Sequence, residues 1–310
     1  MLATRLGLAV FVVGCTKADA PAGPAPETIF ESTSVAGKFI PEAATLVVGV
    51  DVGGLVTSSV YAANRAMIET GELERVLGDA TACGLGTEKW KGITLGTDPT
   101  TRAFTAELHA DGIGTDANLS CVHDKMTARE GKAPWTAEEI NGKRVLTMPD
   151  GGVGYVVHSD LLVVASKEWA GTVRELVDDK GTSAFDGALK AAIGRADTGK
   201  TMWVAGRLPA EMVKGSPAEG ATDVAASIEL ASGVALTASI AFGNVIEASK
   251  HKDALQQQFE QLKALTANMG VPQAVIDSVK IEARGVAVTV AVKASDDDMR
   301  KLQESLSKAM

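Results

Sequence analysis

The sequence has few aromatic side chains and lacks an apolar run long enough to cross a membrane. Phe, Trp and Tyr make up 4% of the 310 residues, with two Tyr and four Trp. Surfaces that stack sugars or single-stranded nucleic acid use more aromatic rings, so the scarcity argues against both functions. The N-terminal apolar run covers only residues 6–13, far below the roughly 20 residues of a membrane-spanning helix.

The chain also lacks a basic patch. Its formal net charge is −9 at pH 7, with 30 Lys and Arg against 39 Asp and Glu. Nothing in it is arranged to neutralise phosphates, so nucleic acid is excluded as an expected partner. Hydrophobic residues make up 45% of the sequence. The length therefore predicts one large domain or two ordinary ones with a substantial core.

Catalytic and metal-binding patterns are missing as well. The four histidines, none of which pairs with another at helical spacing, are His109, His123, His158 and His251. Cys121-x-His123 is the one close Cys/His pair, and no second pair completes a zinc site. Glu138 and Glu139 fall in a predicted polar loop with no further acid to form a glycosidase pair. With no Gly-x-Ser-x-Gly sequence either, we predict no enzyme activity, no metal and no cofactor.

Residues 49–54 read Gly-Val-Asp-Val-Gly-Gly and are similar to the first phosphate loop of sugar kinases and other actin-like ATPases. Backbone amides in such a turn bind anions. Leu55 stands where that family has a hydroxyl residue, a helix is predicted where the family forms a hairpin, and no second phosphate loop follows. We therefore interpret Asp51 as the end of a buried strand, at a glycine turn that leads into a helix.

The first fifteen residues have the layout of a secretory signal. Arg5 precedes the apolar run, and the small residue Gly14 closes it. Val12-Val13-Gly14-Cys15 resembles the bacterial lipobox. The resemblance implies removal of residues 1–14, a diacylglyceryl group on the Cys15 thiol, and a membrane as partner through that lipid and further acyl chains such as palmitate. Thr16 stands where an Asp would retain such a protein at the inner membrane, which favours the outer membrane of the cell envelope.

Two cysteines remain after Cys15. An even pair in an oxidising compartment predicts a disulfide between Cys83 and Cys121, with two buried free thiols as the alternative. Residues 18–26 are rich in Ala and Pro, as in an extended tether. We therefore predict a lipidated cysteine and flexible tether at residues 15–38.

The rest of the chain predicts an α+β fold in two repeats, residues 39–182 and 183–310. A short β-branched strand at residues 45–51 is mirrored at 201–207, and each half then shows a hairpin, a helix, a second hairpin and a last helix. This pattern predicts a tandem duplication with mainly antiparallel sheets and helices packed on one face. The alternative is one continuous sheet without a true repeat.

Pro41, Leu46, Asp51 and Leu55 have a spacing that resembles the opening of several uncharacterised envelope proteins. That resemblance implies a structural Asp51 near a helix N-terminus, where negative charge is favoured. The resemblance names no activity. The lipid address and a repeated fold without a catalytic constellation instead lead us to predict a lipid-anchored envelope protein that binds an unidentified protein or small molecule, or serves structurally. The alternative is an envelope hydrolase with a site in the cleft between the two halves.

Overall fold

The structure is a computed structural model that describes residues 37–68, 72–216, 218–268 and 270–309. The leader at 1–14, the lipidation residue Cys15 and all but the last two residues of the tether at 15–38 lie outside the described residues. Contacts divide the chain into two compact units. The first unit comprises the described part of Met1–Ala43 together with Tyr61–Ser183, and the second comprises Ala44–Val60 with Ala184–Met310.

The described residues form twelve strands and ten helices. The strands are β1 (Leu46–Asp51), β2 (Trp90–Asp98), β3 (Ala103–Ala110), β4 (Thr136–Ile140), β5 (Lys143–Thr147), β6 (Val153–His158), β7 (Leu161–Ala165), β8 (Met202–Arg207), β9 (Ala221–Glu229), β10 (Val234–Phe242), β11 (Lys280–Arg284) and β12 (Ala287–Ala294). The helices are α1 (Val52–Thr57), α2 (Ser59–Ile68), α3 (Glu72–Ala82), α4 (Asp116–Glu130), α5 (Ala170–Val177), α6 (Lys190–Ile193), α7 (Ala210–Val213), α8 (Val245–Asn268), α9 (Gln273–Ser278) and α10 (Asp296–Ala309). A 3₁₀ turn covers Thr87–Lys89.

The first unit holds six antiparallel strands in the order β2-β3-β7-β6-β5-β4. The β2–β3 hairpin leads into α4, and the chain then returns through β4, β5 and β6 to β7, which pairs with β3. Helix α5 follows β7. Since β4 is the last strand in this order, one of its edges is open among the described residues.

The second unit also has antiparallel strands, in the order β1-β8-β9-β10-β12-β11. The β9–β10 hairpin leads into α8, and the chain returns through β11 to β12, which pairs with β10 and precedes α10. Hairpin, helix, returning strands and final helix thus follow in the same sequence in both units. The predicted α+β class with antiparallel sheets is confirmed, while the repeat boundary between 182 and 183 stays a prediction.

The apolar core of the first unit lies between α3, α4 and the sheet. Its buried members are Ala80, Leu85, Ala110, Ile113, Leu119, Leu146 and Leu162. Trp90, Leu108 and Trp135 pack against this cluster while remaining half-buried. The apolar face of α4 is therefore held on the sheet by Leu119, which leaves the polar side of α4 toward solvent.

The opposite face of β3 is covered by residues 37–41. Thr105 and Glu107 have no exposed surface, and neither does Ile40. The Glu107 carboxylate accepts hydrogen bonds from the Gly37 and Phe39 amides, each at 2.6 Å. The polar side chains of Thr105 and Glu107 are therefore buried because this segment covers them.

In the second unit, a smaller cluster contains Phe242, Ala248 and Val288, with Leu255 packed against it. Helix α8 lies along β10, β11 and β12. At the other end of this strand order, Gly49 of β1 pairs with Trp203 of β8. The Trp203 indole occupies the space beside the glycine. Across the described part of the chain, no helix is long and apolar enough to span a membrane.

Candidate functional site

A disulfide joins Cys83, which directly follows α3, to Cys121 inside α4. The Cα atoms of the two residues are 5.6 Å apart, and 38 residues separate them in sequence. This is the pairing that the cysteine count predicted. Because Cys121 is bonded to Cys83, it has no thiolate to offer a metal beside His123. The disulfide also ties α4 to the end of α3 next to the core.

On its polar side, α4 borders an open groove in the first unit. Two adjoining cavities of about 460 and 260 Å³ make up this groove and share Asp116, Ala137 and Arg144. Leu119 and Leu146 contribute the apolar floor of the smaller cavity, and Val156 contributes to the larger one. The groove thus combines a buried apolar base with charged side chains at its rim, as ligand sites commonly do.

The loop before α4 fixes the position of Asp116 at the groove. The Gly112 amide donates to the Asp160 carboxylate at 2.9 Å, and the Thr115 hydroxyl accepts from the Asn118 amide as the helix N-cap. The hydrogen bond from the Gly112 amide, helped by Ser159 and Lys91, holds the pKa of Asp160 below its usual value against a smaller opposing effect of burial. A charged Asp160 therefore clamps this loop at neutral pH.

Arg144 is the basic side chain of the groove. It projects from β5 and forms an ion pair with Asp116, and its cross-strand neighbour in β4 is Glu139. The same side of β5 carries Leu146, so Arg144, Glu139 and Asp116 lie on the sheet face that α4 covers in part. One guanidinium is thus placed between two carboxylates that both have access to solvent.

The far end of the groove is aromatic. The rings of His123 and Trp135 meet edge to face, with their centroids 5.5 Å apart. His123 Nδ1 lies 3.4 Å from a carboxylate oxygen of Asp124, whose side chain is largely exposed. Both rings are half-buried and line the smaller cavity. A ligand here would meet a π surface beside negative charge.

Carboxylates dominate the groove as a whole. Asp116, Asp124 and Glu139 place carboxylates on it, against Arg144 as the lining Lys or Arg, while Glu138 lines it from β4 with its side chain on the other sheet face. Because like charges raise the local negative potential, the groove favours positively charged ligands. No group of three or more His, Cys, Asp or Glu in the described ranges is arranged to hold a metal ion.

Sequence reasoning missed β4. Glu138 and Glu139 were assigned to a polar loop, but they lie in a strand that pairs with β5. The assignment was wrong because four of the five β4 residues are exposed, so the strand has no apolar alternation to reveal it. Asn141-Gly142 was the available signal: both residues have positive φ, as a two-residue hairpin turn requires.

Other residues singled out in the sequence lie away from the groove. Asp51 ends β1 and occupies the N-cap position of α1, as the predicted strand end before a helix requires, but Gly53 and Gly54 lie inside α1 and do not form a turn before it. The ring of His251 in α8 stacks on Phe242 with centroids 4.3 Å apart. The position of Cys15 is outside the described residues, and its lipidation stays a prediction.

No protein-family model matches the chain, and no curated protein does either. Among solved structures, the chain is similar to TP0453 in crystal form III, with a TM-score of 0.52 and 9% identity over 90% of this chain and 100% of that one. Crystal form I of TP0453 gives a TM-score of 0.51 and 10% identity over 90% and 99%. At such identity the likeness establishes a shared fold.

Proposed function

We propose that this chain is an exported envelope protein, anchored by lipid on Cys15, that acts as a binding module without catalysis. The groove between α4 and the β4–β5 hairpin is its ligand site. The protein is held to the outer membrane in this proposal, because Thr16 follows the lipidated cysteine. The alternative of an envelope hydrolase with a site in the cleft between the halves stays a sequence prediction.

The Cys83–Cys121 disulfide is the observation that best supports the proposed location outside the cytosol. Disulfides persist in the periplasm and outside the cell, and reducing systems keep them rare in the cytosol. The sequence has three cysteines. With Cys83 and Cys121 joined to each other, Cys15 is the cysteine left over, and it stands directly behind an apolar leader.

The groove supports a binding role over a purely structural one. Its floor is buried and apolar, and its rim carries three carboxylates with one guanidinium. His123 and Trp135 add an aromatic wall. A surface with no ligand has no need for charged and aromatic side chains converging on one depression, which is the arrangement that small-molecule and peptide sites share.

Metabolic labelling with radioactive palmitate tests the anchor. The wild-type chain, expressed in a bacterium with its leader intact, should incorporate label and fractionate with membranes, whereas Cys15→Ser should lose both properties. Cys83→Ser with Cys121→Ser is the matched control and should keep the label, because neither residue follows a leader. Equal labelling of the Cys15→Ser chain would overturn the proposed anchor.

A further inference from the structure

The outer edge of β4 carries backbone groups with no strand beside them in the described part of the chain. Asn141 and Gly142 form a two-residue turn, so Ile140 and Lys143 are the first hydrogen-bonded pair of the β4–β5 hairpin. Pairing then alternates along the strand. The amides and carbonyls of Ala137 and Glu139 consequently point away from β5, toward the open edge.

Side chains of β4 place negative charge on both sides of this edge. Glu139 lies opposite Arg144 on the groove face, and Glu138 lies opposite Val145 on the other face. Both carboxylates are exposed. Asp116, itself largely exposed, extends the charge along the groove. A strand that paired with β4 would therefore find a carboxylate on each of its two faces.

We infer that the β4 edge and the adjoining groove bind an extended, Lys- or Arg-containing segment of another polypeptide by strand addition. This inference rests on the binding role proposed above and names the partner's class. The partner's backbone pairs with Ala137 and Glu139, which supplies affinity independent of sequence. Its basic side chains reach Glu139 and Asp116 on the groove face and Glu138 on the other.

The dimensions set the size of the segment. At about 3.4 Å per residue, the five residues of β4 span roughly 17 Å, which matches a partner strand of about five or six residues. Since the charges involved are exposed, binding weakens as salt rises above about 0.15 M.

Fluorescence anisotropy with a labelled Lys-Val-Lys-Val-Lys-Val peptide, added to the full chain in a neutral detergent, tests the inference. The peptide should bind, and its Glu-Val counterpart should not. Two further peptides carry N-methyl groups on one or the other alternate set of amides. Methylation of the set that faces β4 should weaken binding at least tenfold, because about 1 kcal/mol is lost per hydrogen bond, while methylation of the other set should leave it unchanged.

Matched charge variants locate the site. Glu139→Gln should weaken binding about threefold to fivefold, as expected for one exposed ion pair. Glu175→Gln removes one exposed charge from α5, away from the groove, and should have no effect. Ala137→Pro removes an outward-facing amide without breaking a β4–β5 bond and should weaken binding as well, because proline is tolerated on an edge strand.

Equal weakening by Glu139→Gln and Glu175→Gln, or equal binding of both methylated peptides, would show general charge attraction and overturn strand addition. Absence of binding by the wild-type chain would overturn the partner class, and the carboxylates of β4 would then serve only to keep other chains from its edge. Palmitate labelling is measured separately, so failure of the anchor and failure of the peptide site are distinguishable.

Discussion

Glu107 shows how a single charged residue fixes a chain segment. It has no exposed surface, yet both carboxylate oxygens accept backbone hydrogen bonds, from Gly37 and from Phe39. His109 Nε2 lies 3.8 Å from the same carboxylate. A buried carboxylate is costly unless such partners are present. Glu107 is therefore a structural residue that holds residues 37–41 against β3.

Glu107→Gln should destabilise the protein by about 1–3 kcal/mol. The amide keeps one acceptor oxygen, but its NH₂ group faces a backbone amide that then has no acceptor in a buried position. Urea unfolding followed by circular dichroism measures the loss. The exposed Glu175→Gln serves as control and should change the free energy of unfolding by less than about 0.5 kcal/mol. Equal stability of the two variants would contradict the proposed role.

At the scale of elements, one glycine has no room for a side chain and another has ample room. A Cβ at Gly49 in β1 would lie 2.1 Å from the indole nitrogen of Trp203, which is itself packed edge to face on Phe185. A Cβ at Gly78, exposed within α3, meets nothing within 4 Å. The first glycine is required by a close approach, and the second only weakens its helix.

Gly49→Ala should cost roughly 1–3 kcal/mol, because the Trp203 ring must leave its position or the strands must separate. Gly78→Ala should instead stabilise the protein by about 0.5–1 kcal/mol, since alanine loses less conformational freedom in a helix. Urea midpoints of the two variants, measured side by side, should shift in opposite directions. An unchanged or higher midpoint for Gly49→Ala would show that the space around Gly49 is not limiting.

The elements also show what sequence patterns can predict. The strand at 45–51 was predicted from its short, apolar and β-branched sequence, and it is present as β1. Strand β4 was missed because tertiary pairing with β5, and not its own pattern, makes it a strand.

For the candidate site, residue types were visible in the sequence but their convergence was not. His123, Trp135 and Glu139 gave no local signal of proximity, since three different elements or connections carry them. The Cys83–Cys121 pair could be predicted because chemistry and compartment limit the alternatives. The carboxylates near Arg144 could be predicted only from the register of β4 on β5. That register is set by the Asn141-Gly142 turn, which was not recognised in the sequence.

At the scale of the whole molecule, the disulfide is the strongest covalent constraint that the structure describes. It closes a loop of 38 residues. Chain-entropy reasoning gives a contribution of about 4 kcal/mol for a loop of this size. The loop contains β2, β3 and the start of α4, so opening it affects the core of the first unit and the groove beside it.

Reduction with dithiothreitol should therefore lower the free energy of unfolding by about 2–4 kcal/mol. Cys83→Ser with Cys121→Ser should have the same effect, and dithiothreitol should not change that double variant further. Urea unfolding with and without reductant measures both. Unchanged unfolding of the wild type in reductant would mean that the cross-link carries no stability.

The hydrogen bonds of Glu107 have a mechanical consequence if Cys15 is fixed in a bilayer. Cys15 and Gly37 are 22 residue steps apart in sequence, a distance along the chain of at most about 75 Å. Among the described residues, tension from the N-terminal side arrives first at the amides of Gly37 and Phe39. It then passes through the Glu107 side chain into β3, which is bonded to strands on both sides. The force is therefore applied to β3, which has a strand on each side, and not to the open edge of β4.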